Sequence, residues 1–229
     1  MPGPFDYEKG ISHMDHKLPS LKGVDLKVEL ARKFGWQPAQ VRFLNDAAAF
    51  LLGEVGAGAA KGYAKAIGLT LGTGIGSAFA AAGHILMSGS NIPPGGEIWN
   101  VPYLSGIIED FVSTRYLKQR YEALTGVDAE VSVIAGMARE DGNEGTLARQ
   151  VFCDFGRNIG SAVLHVLGPD PAAGFVPDVI VLGGGIARSS ELFLPAMRET
   201  LGSLPITLAI SALMDEAPLA GAGVHYFTV

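Results

Sequence analysis

The sequence predicts an α/β fold with a mixed sheet and flanking helices. Three features predict it: two apolar segments joined by a glycine turn at residues 69–79, a strand at 178–182 that is apolar after Asp178, and helical periodicity on either side of that strand. An apolar run bounded by Pro177 and Gly183 is typical of a central parallel strand. The chain has 229 residues, of which 48% are hydrophobic, so it can bury a substantial core.

Few helices and strands are predicted before residue 66. Residues 1–21 contain prolines and glycines without a sustained period, so we expect a loop there, and a solvated loop accounts for His13 and His16 better than a metal pair does. The pattern predicts an amphipathic helix at 25–34, a strand at 41–44 and a small-residue helix at 47–65 that can pack closely on a neighbour.

Asp46, between that strand and that helix, has two interpretations. It is well placed as the N-cap of the helix at 47–65, which is the more frequent role of such a residue. A carboxylate at the C-terminal end of a strand is also where α/β enzymes carry catalytic groups. Sequence position alone favours the cap about two to one, and both interpretations stay open.

The remaining elements follow the glycine turn. A long irregular segment occupies 83–102, and loops of this length are usually functional. Helices are predicted at 104–124, 131–139 and 144–167, then the strand at 178–182, a helix from about residue 189, a strand at 206–210 and a last helix at 218–226. We place a domain boundary after residue 66, with 1–66 as the remnant of an N-terminal α/β domain and 67–229 as the C-terminal nucleotide- and sugar-binding domain.

The glycine turn has an ordinary and a functional interpretation. Gly72, Gly74 and Gly76 alternate with other residues, which leaves backbone amides accessible to an anion such as phosphate. A plain β-hairpin turn explains the same pattern about equally well. The stretch is not a P-loop, because no lysine follows the glycines, nor a dinucleotide fingerprint, because Ser77 stands in place of its third glycine.

Composition excludes several classes of function. The net charge is −6 and no cluster of Lys and Arg occurs, which argues against a nucleic-acid partner. Cys153 is the single cysteine, which excludes an internal disulfide and fits a reducing cytoplasm. The most apolar region, 47–82, carries Glu54, Lys61 and Lys65, so we interpret it as core and not as a membrane span.

Taken together, five motifs resemble those of the ROK family, bacterial sugar kinases and sugar-responsive repressors with the actin/hexokinase (ribonuclease-H-like) fold. The motifs are Asn45-Asp46-Ala47, the turn from Leu69 to Gly76, Gly96-Glu97, Val181-Leu182-Gly183-Gly184-Gly185, and Gly53-Glu54 together with the opening Met1-Pro2-Gly3-Pro4. Their order along the chain agrees with that of the family. The resemblance covers nearly the whole sequence.

The resemblance implies a role for each site residue. Asp46 would be the general base that takes a proton from a sugar hydroxyl, and Asn45, Glu97 and Glu109 would contact the sugar. The amides of Gly72, Thr73, Gly74 and Gly76 would bind the ATP phosphates, with Mg²⁺ neutralising their charge. Gly183, Gly184 and Gly185 would face the adenosine. From the residue alone, a favourable position near a helix start also accounts for Glu109.

Two departures from the family pattern stand out. Asn100 stands where the family has a zinc-binding histidine, and the cysteines of that site are missing, so we expect no zinc. The family's opening Asp-x-Gly-Gly-Thr phosphate loop does not occur, so we expect an N-terminally incomplete chain. Its strand 41–44 and helix 47–65 would then expose surface that promotes association, as a homodimer or a higher oligomer.

Three functions remain open at this point. The first is an ATP-dependent sugar kinase of the glucokinase type, with Asn45, Asp46 and the glycine turns in its favour. The second is a catalytically silent sugar-binding or regulatory protein, favoured by the lack of the first phosphate loop. A sugar-responsive repressor is the third, and the acidic charge weighs against it.

Overall fold

The computed structural model describes residues 1–15, 18–170 and 174–228. Among these residues, five strands follow one another after the second α-helix, and four α-helices follow those strands before the next strand. The strands are β1 (Phe5–Asp6), β2 (Ile11–Ser12), β3 (Lys65–Leu71), β4 (Ile75–Ala81), β5 (His84–Leu86), β6 (Pro102–Tyr103), β7 (Gly106–Ile107), β8 (Val179–Gly183) and β9 (Thr207–Ile210). The helices are α1 (Leu26–Phe34), α2 (Asp46–Ala57), α3 (Ile108–Phe111), α4 (Thr114–Thr125), α5 (Val131–Met137), α6 (Asn143–Leu167), α7 (Leu194–Leu201) and α8 (Ala217–Thr228).

A five-stranded mixed sheet organises the chain, with strand order β5-β4-β3-β8-β9. β3 pairs in parallel with β8 and antiparallel with β4, the partner that it reaches through the glycine turn. β8 is buried along its whole length and also pairs in parallel with β9. The mixed α/β sheet predicted from the sequence is confirmed; β8 is an interior strand with a parallel partner on each side, and β3 is the central strand.

Helices cover both faces of this sheet. Ile180 and Leu182 of β8 point into the larger core, which contains the buried face of α6. The alternate residues Val179 and Val181 point into a smaller core against α2. Successive side chains of a strand point to opposite faces of the sheet, so a strand buried on both faces contributes alternate residues to two cores.

Helix α2 packs closely on α8, as its small residues predicted. A Cβ added to Gly53 would lie 2.1 Å from the Ala217 carbonyl oxygen, and one added to Gly221 would lie 1.7 Å from that of Ala49. Only glycine permits this approach between the two helices. The expectation that α2 would expose its apolar face is therefore wrong, because the sheet and α8 cover it.

Several predicted elements need correction. Residues 41–44 form no strand: the chain is extended at Val41, but no neighbouring strand among the described residues pairs with it. The predicted helix 104–124 is two helices, α3 and α4, separated at Val112, whose φ of −131° and ψ of 73° are not helical. Ser113 then begins α4 as its N-cap, accepting a hydrogen bond from the Tyr116 amide at 3.3 Å. Helix α2 ends at Ala57 and not at residue 65.

The first 15 residues are more ordered than the sequence suggested. β1 and β2 form a short antiparallel pair, with Phe5 opposite Ser12. His16 lies outside the described residues, so the His13–His16 pair is not tested. The boundary after residue 66 also stays a prediction, although α2, which precedes it, packs on the sheet that follows it. No described helix combines the length and apolarity needed to cross a membrane.

Candidate active site

A cleft of about 300 Å³ opens at the end of the sheet where β3 turns into β4. It brings together most of the predicted site residues. The lining includes Asn45, Asp46, Gly72, Thr73, Gly74, Gly76, Glu97, Glu109, Gly184 and Gly185. The volume falls near the lower end of the range for small-molecule sites.

Gly183 alone among the predicted site residues does not line this cleft. It ends β8 and is buried, and a Cβ on it would lie 2.4 Å from the Phe50 ring. Its neighbour Gly184 has a φ of +85°, and a Cβ there would lie 2.4 Å from the Leu71 carbonyl oxygen. The structure thus explains Gly183 by packing, while Gly184 and Gly185 border the cleft.

Asn45 and Asp46 lie at the N-terminus of α2. The two roles considered for Asp46, N-cap and cleft carboxylate, belong to different residues. The N-cap is Asn45, whose Oδ1 accepts hydrogen bonds from the amides of Ala47 and Ala48. Asp46 is the first residue of the helix, and its exposed carboxylate borders the cleft. The N-cap interpretation of Asp46 is therefore wrong, and its carboxylate is accessible to a ligand.

The turn between β3 and β4 is tied to the start of α4 and to Glu109. The Thr114 amide and hydroxyl both donate to the Gly72 carbonyl oxygen at 2.9 Å. The Ile75 amide donates to Glu109 Oε2 at 3.3 Å, and a Cβ on Gly74 would lie 2.0 Å from that oxygen. Within the described chain, the Thr73 and Gly74 amides have no hydrogen-bond acceptor. They are donors that an anion in the cleft can use.

Glu97 lies at the other side of the cleft, held by its neighbours. Asn45 Nδ2 donates to its Oε1 at 3.4 Å, and Trp99 Nε1 donates to its Oε2 at 3.0 Å. The segment that carries it is fixed by buried Ser77, whose hydroxyl donates to the Gly96 carbonyl at 2.7 Å and accepts from the Ile98 amide at 2.9 Å. The orientation of Glu97 is thus set from both sides and from its backbone.

Tyr7 joins this network from the N-terminal segment. Asn45 Nδ2 donates to its hydroxyl at 3.0 Å. Burial raises the pKa of Tyr7 to about 12, with the Glu97 and Asp46 carboxylates acting in the same direction. The phenol therefore stays neutral at physiological pH and can donate a hydrogen bond as well as accept one.

Sequence analysis missed Tyr7, Ser77 and Trp99. Trp99 was visible as an aromatic residue two positions after Glu97, but nothing in the pattern separated it from a core residue. No group of three or more His, Cys, Asp or Glu side chains that could hold a metal ion occurs within 1–15, 18–170 and 174–228. The prediction that the protein lacks zinc stays a prediction.

Comparison with known proteins gives the family. The model of the ROK family matches residues 1–206. The chain belongs to the ROK family. It is 28% identical to the glucokinase of Thermotoga maritima over 86% of this chain and 66% of that protein, and 27% identical to the N-acetyl-D-glucosamine kinase of Pectobacterium atrosepticum over 77% and 60%. The chain thus spans less than two thirds of the length of these two relatives.

A solved structure agrees with this assignment. The ROK hexokinase of Thermus thermophilus superposes with a TM-score of 0.77 at 25% identity, over 96% of this chain and 74% of that one. The actin/hexokinase fold implied by the sequence resemblance is therefore confirmed. The chain thus shares its family and its fold with proteins that are named as sugar kinases.

Proposed function

We propose that the cleft is the site of an ATP-dependent sugar kinase in which Asp46 is the general base. The observation that carries the proposal is the convergence, in one cleft, of an exposed carboxylate, a glycine turn with available amides and two further glutamates. The relatives named as glucokinase and N-acetyl-D-glucosamine kinase support a sugar as the acceptor.

Asp46 suits the role of base because its carboxylate is exposed to the cleft while its backbone is fixed in α2. A carboxylate within hydrogen-bond reach of a sugar hydroxyl can take the proton as the hydroxyl oxygen attacks phosphorus. Glu97 can accept from a neighbouring sugar hydroxyl, and Asn45, which donates to Glu97 at 3.4 Å, would keep it in position for the sugar.

The glycine turn suits the phosphates of ATP. The amides of Thr73 and Gly74 have no acceptor among the described residues, and the absence of a Cβ at Gly74 lets Glu109 lie against the turn. Phosphoryl transfer depends mainly on positioning and on charge neutralisation, which Mg²⁺ bound to the phosphates supplies.

A second candidate is a sugar-binding protein without phosphoryl transfer. One contact favours it: Glu109 accepts a hydrogen bond from Ile75 and lies against Gly74, which puts a negative charge beside the amides meant for phosphate. In this alternative Asn45, Asp46 and Glu97 bind the sugar and ATP is not consumed. For either candidate function, we propose that the protein is cytoplasmic and forms a homodimer.

Asp46→Asn tests the first candidate. Asparagine keeps the shape and the Oδ1 that accepts from the Ala47 amide at 3.1 Å, so the start of α2 should survive. ADP release is measured with D-glucose and with N-acetyl-D-glucosamine, beside the matched variant Asp141→Asn in the exposed loop before α6. We expect kcat of Asp46→Asn to fall by about 10²–10⁴ with KM little changed, and Asp141→Asn to behave as the parent.

Two outcomes contradict the proposal. An Asp46→Asn variant that retains more than about a tenth of the parent kcat excludes Asp46 as the base. A parent chain that binds sugar by calorimetry but never releases ADP supports the second candidate instead.

A further inference from the structure

Trp99 connects the two glutamates of the cleft. Its indole N–H donates to Glu97 Oε2 at 3.0 Å, and its backbone carbonyl accepts from the Glu109 amide at 3.0 Å. The indole therefore contacts the Glu97 carboxylate directly, whereas the bond between Trp99 and Glu109 joins the two backbones.

Core packing does not account for the position of the indole. Trp99 is 37% exposed and borders the cleft, whereas the preceding Ile98 is 2% exposed and belongs to the core. No aromatic ring of the described residues stacks on it. The other tryptophan, Trp36, is exposed on the surface but is stacked on Phe34 at 4.8 Å. Trp99 instead leaves apolar aromatic area beside the Glu97 carboxylate, in the cleft that Glu109 also lines.

This combination is complementary to a sugar in its ring form. A pyranose has an apolar C–H face and a rim of hydroxyls, and binding sites combine aromatic area with a few placed polar groups. Glu97 has one hydrogen bond to each oxygen, from Asn45 and from Trp99, and each oxygen keeps a lone pair for a sugar hydroxyl.

We propose that Trp99 is a specificity-determining residue, which packs its indole against the ring of a pyranose sugar and holds Glu97 to accept its hydroxyls. The inference rests on the proposed sugar site, and it names the ring form of an aldohexose as the ligand class. An acyclic polyol with the same hydroxyls lacks the rigid C–H face and should bind much more weakly.

Fluorescence tests the contact directly, because the chain has two tryptophans. Trp36→Phe leaves Trp99 as the only indole, and it changes a surface side chain that does not line the cleft. We expect its emission to change saturably with D-glucose or N-acetyl-D-glucosamine and to stay constant with sorbitol. In Trp99→Phe, which keeps Trp36, emission should not respond to sugar.

Affinity then separates the two roles of the indole. Trp99→Phe keeps a ring but loses the N–H, and we expect its sugar dissociation constant by calorimetry to rise about threefold to tenfold. Trp99→Leu also loses the aromatic face, and we expect a further rise of about tenfold. If ATP turnover is present, the KM for sugar should rise while the KM for ATP stays the same, which a merely structural role would not produce.

Each result of the emission and calorimetry experiments either supports or contradicts the proposed role of Trp99. Sugar binding by calorimetry without a change in Trp99 emission overturns the inference and leaves the proposed function intact. So does Trp99→Leu binding sugar as tightly as the parent. A parent chain that binds neither sugar contradicts the proposed sugar site and this inference together. Should Trp99→Leu fail to fold, Trp99→Phe and the emission of Trp36→Phe still give the answer.

Discussion

Glu54 is a buried carboxylate whose loss should destabilise the fold. It has no exposed surface, and it lies toward the C-terminal end of α2, whereas the cleft residues are at the N-terminus of that helix. Its Oε2 accepts from the amides of Ala59 at 2.6 Å and Ala212 at 3.2 Å. Its Oε1 accepts from the Leu213 amide at 3.1 Å and from the Ser211 hydroxyl. One carboxylate thus joins the end of α2 to the segment after β9.

Glu54→Gln replaces one of these oxygens with an NH₂ group. If the NH₂ faces Ala59 and Ala212, two backbone N–H groups lose their acceptor. In the other orientation the Ser211 hydroxyl can rotate to accept, but the Leu213 amide cannot. At least one buried donor is therefore left unpaired, which costs about 1–3 kcal/mol, and the remaining bonds lose their charge. We expect the free energy of unfolding to fall by about 2–4 kcal/mol, a large part of a typical 5–15 kcal/mol.

Urea unfolding followed by far-ultraviolet circular dichroism measures this change. The matched control is Glu122→Gln, the same substitution at an exposed position of α4, and it should change the free energy of unfolding by less than about 0.5 kcal/mol. A Glu54→Gln variant as stable as this control would refute the reasoning, because it would mean that the four donors do not depend on the carboxylate.

Three further tests address the cleft and the metal content. Ser77→Ala removes the hydroxyl that fixes the backbone on both sides of Glu97, so sugar affinity should fall about tenfold by calorimetry while the ATP KM stays constant. Gly74→Ala puts a Cβ 2.0 Å from a Glu109 oxygen and should raise the ATP KM at least about tenfold, whereas Gly136→Ala, which meets nothing within 4 Å, should not. Metal analysis after dialysis should find less than about 0.1 zinc per chain, since a structural site needs four ligands.

Elements with a strong local pattern were predictable from the sequence. The β3–β4 hairpin, the interior strand β8 and the long helix α6 have apolar runs or apolar periods that few other structures satisfy. Their bounds also agree closely: α6 begins at Asn143 and ends at Leu167, against a prediction of 144–167. Gly35 likewise ends α1 in the left-handed conformation, with a φ of 70°, as a C-terminal glycine should.

Elements that depend on a distant partner were not predictable. Residues 41–44 have the composition of a strand, but a strand exists only where a second one pairs with it, and the pattern carries no information about that neighbour. The break at Val112 is similar. The sequence pattern of α3 and α4 is that of one apolar helix. The turn between them is fixed by Ser113 and by the hydrogen bonds from Thr114 to Gly72, a residue 42 positions away.

The same contrast between local pattern and distant partners applies to single side chains in the cleft. Asn45 and Asp46 are adjacent polar residues before a helix, and sequence position favoured Asp46 as the N-cap. In the structure Asn45 is the N-cap, and the Asp46 carboxylate therefore borders the cleft. Glu97 is one acidic residue in a long loop, and its importance depends on Asn45 and Trp99 donating to its two oxygens. The family motif indicated which residues to examine. Which partner holds each of them is a property of the folded chain, because Asn45 and Glu97 come together only when α2 and the loop after β5 pack on the same edge of the sheet.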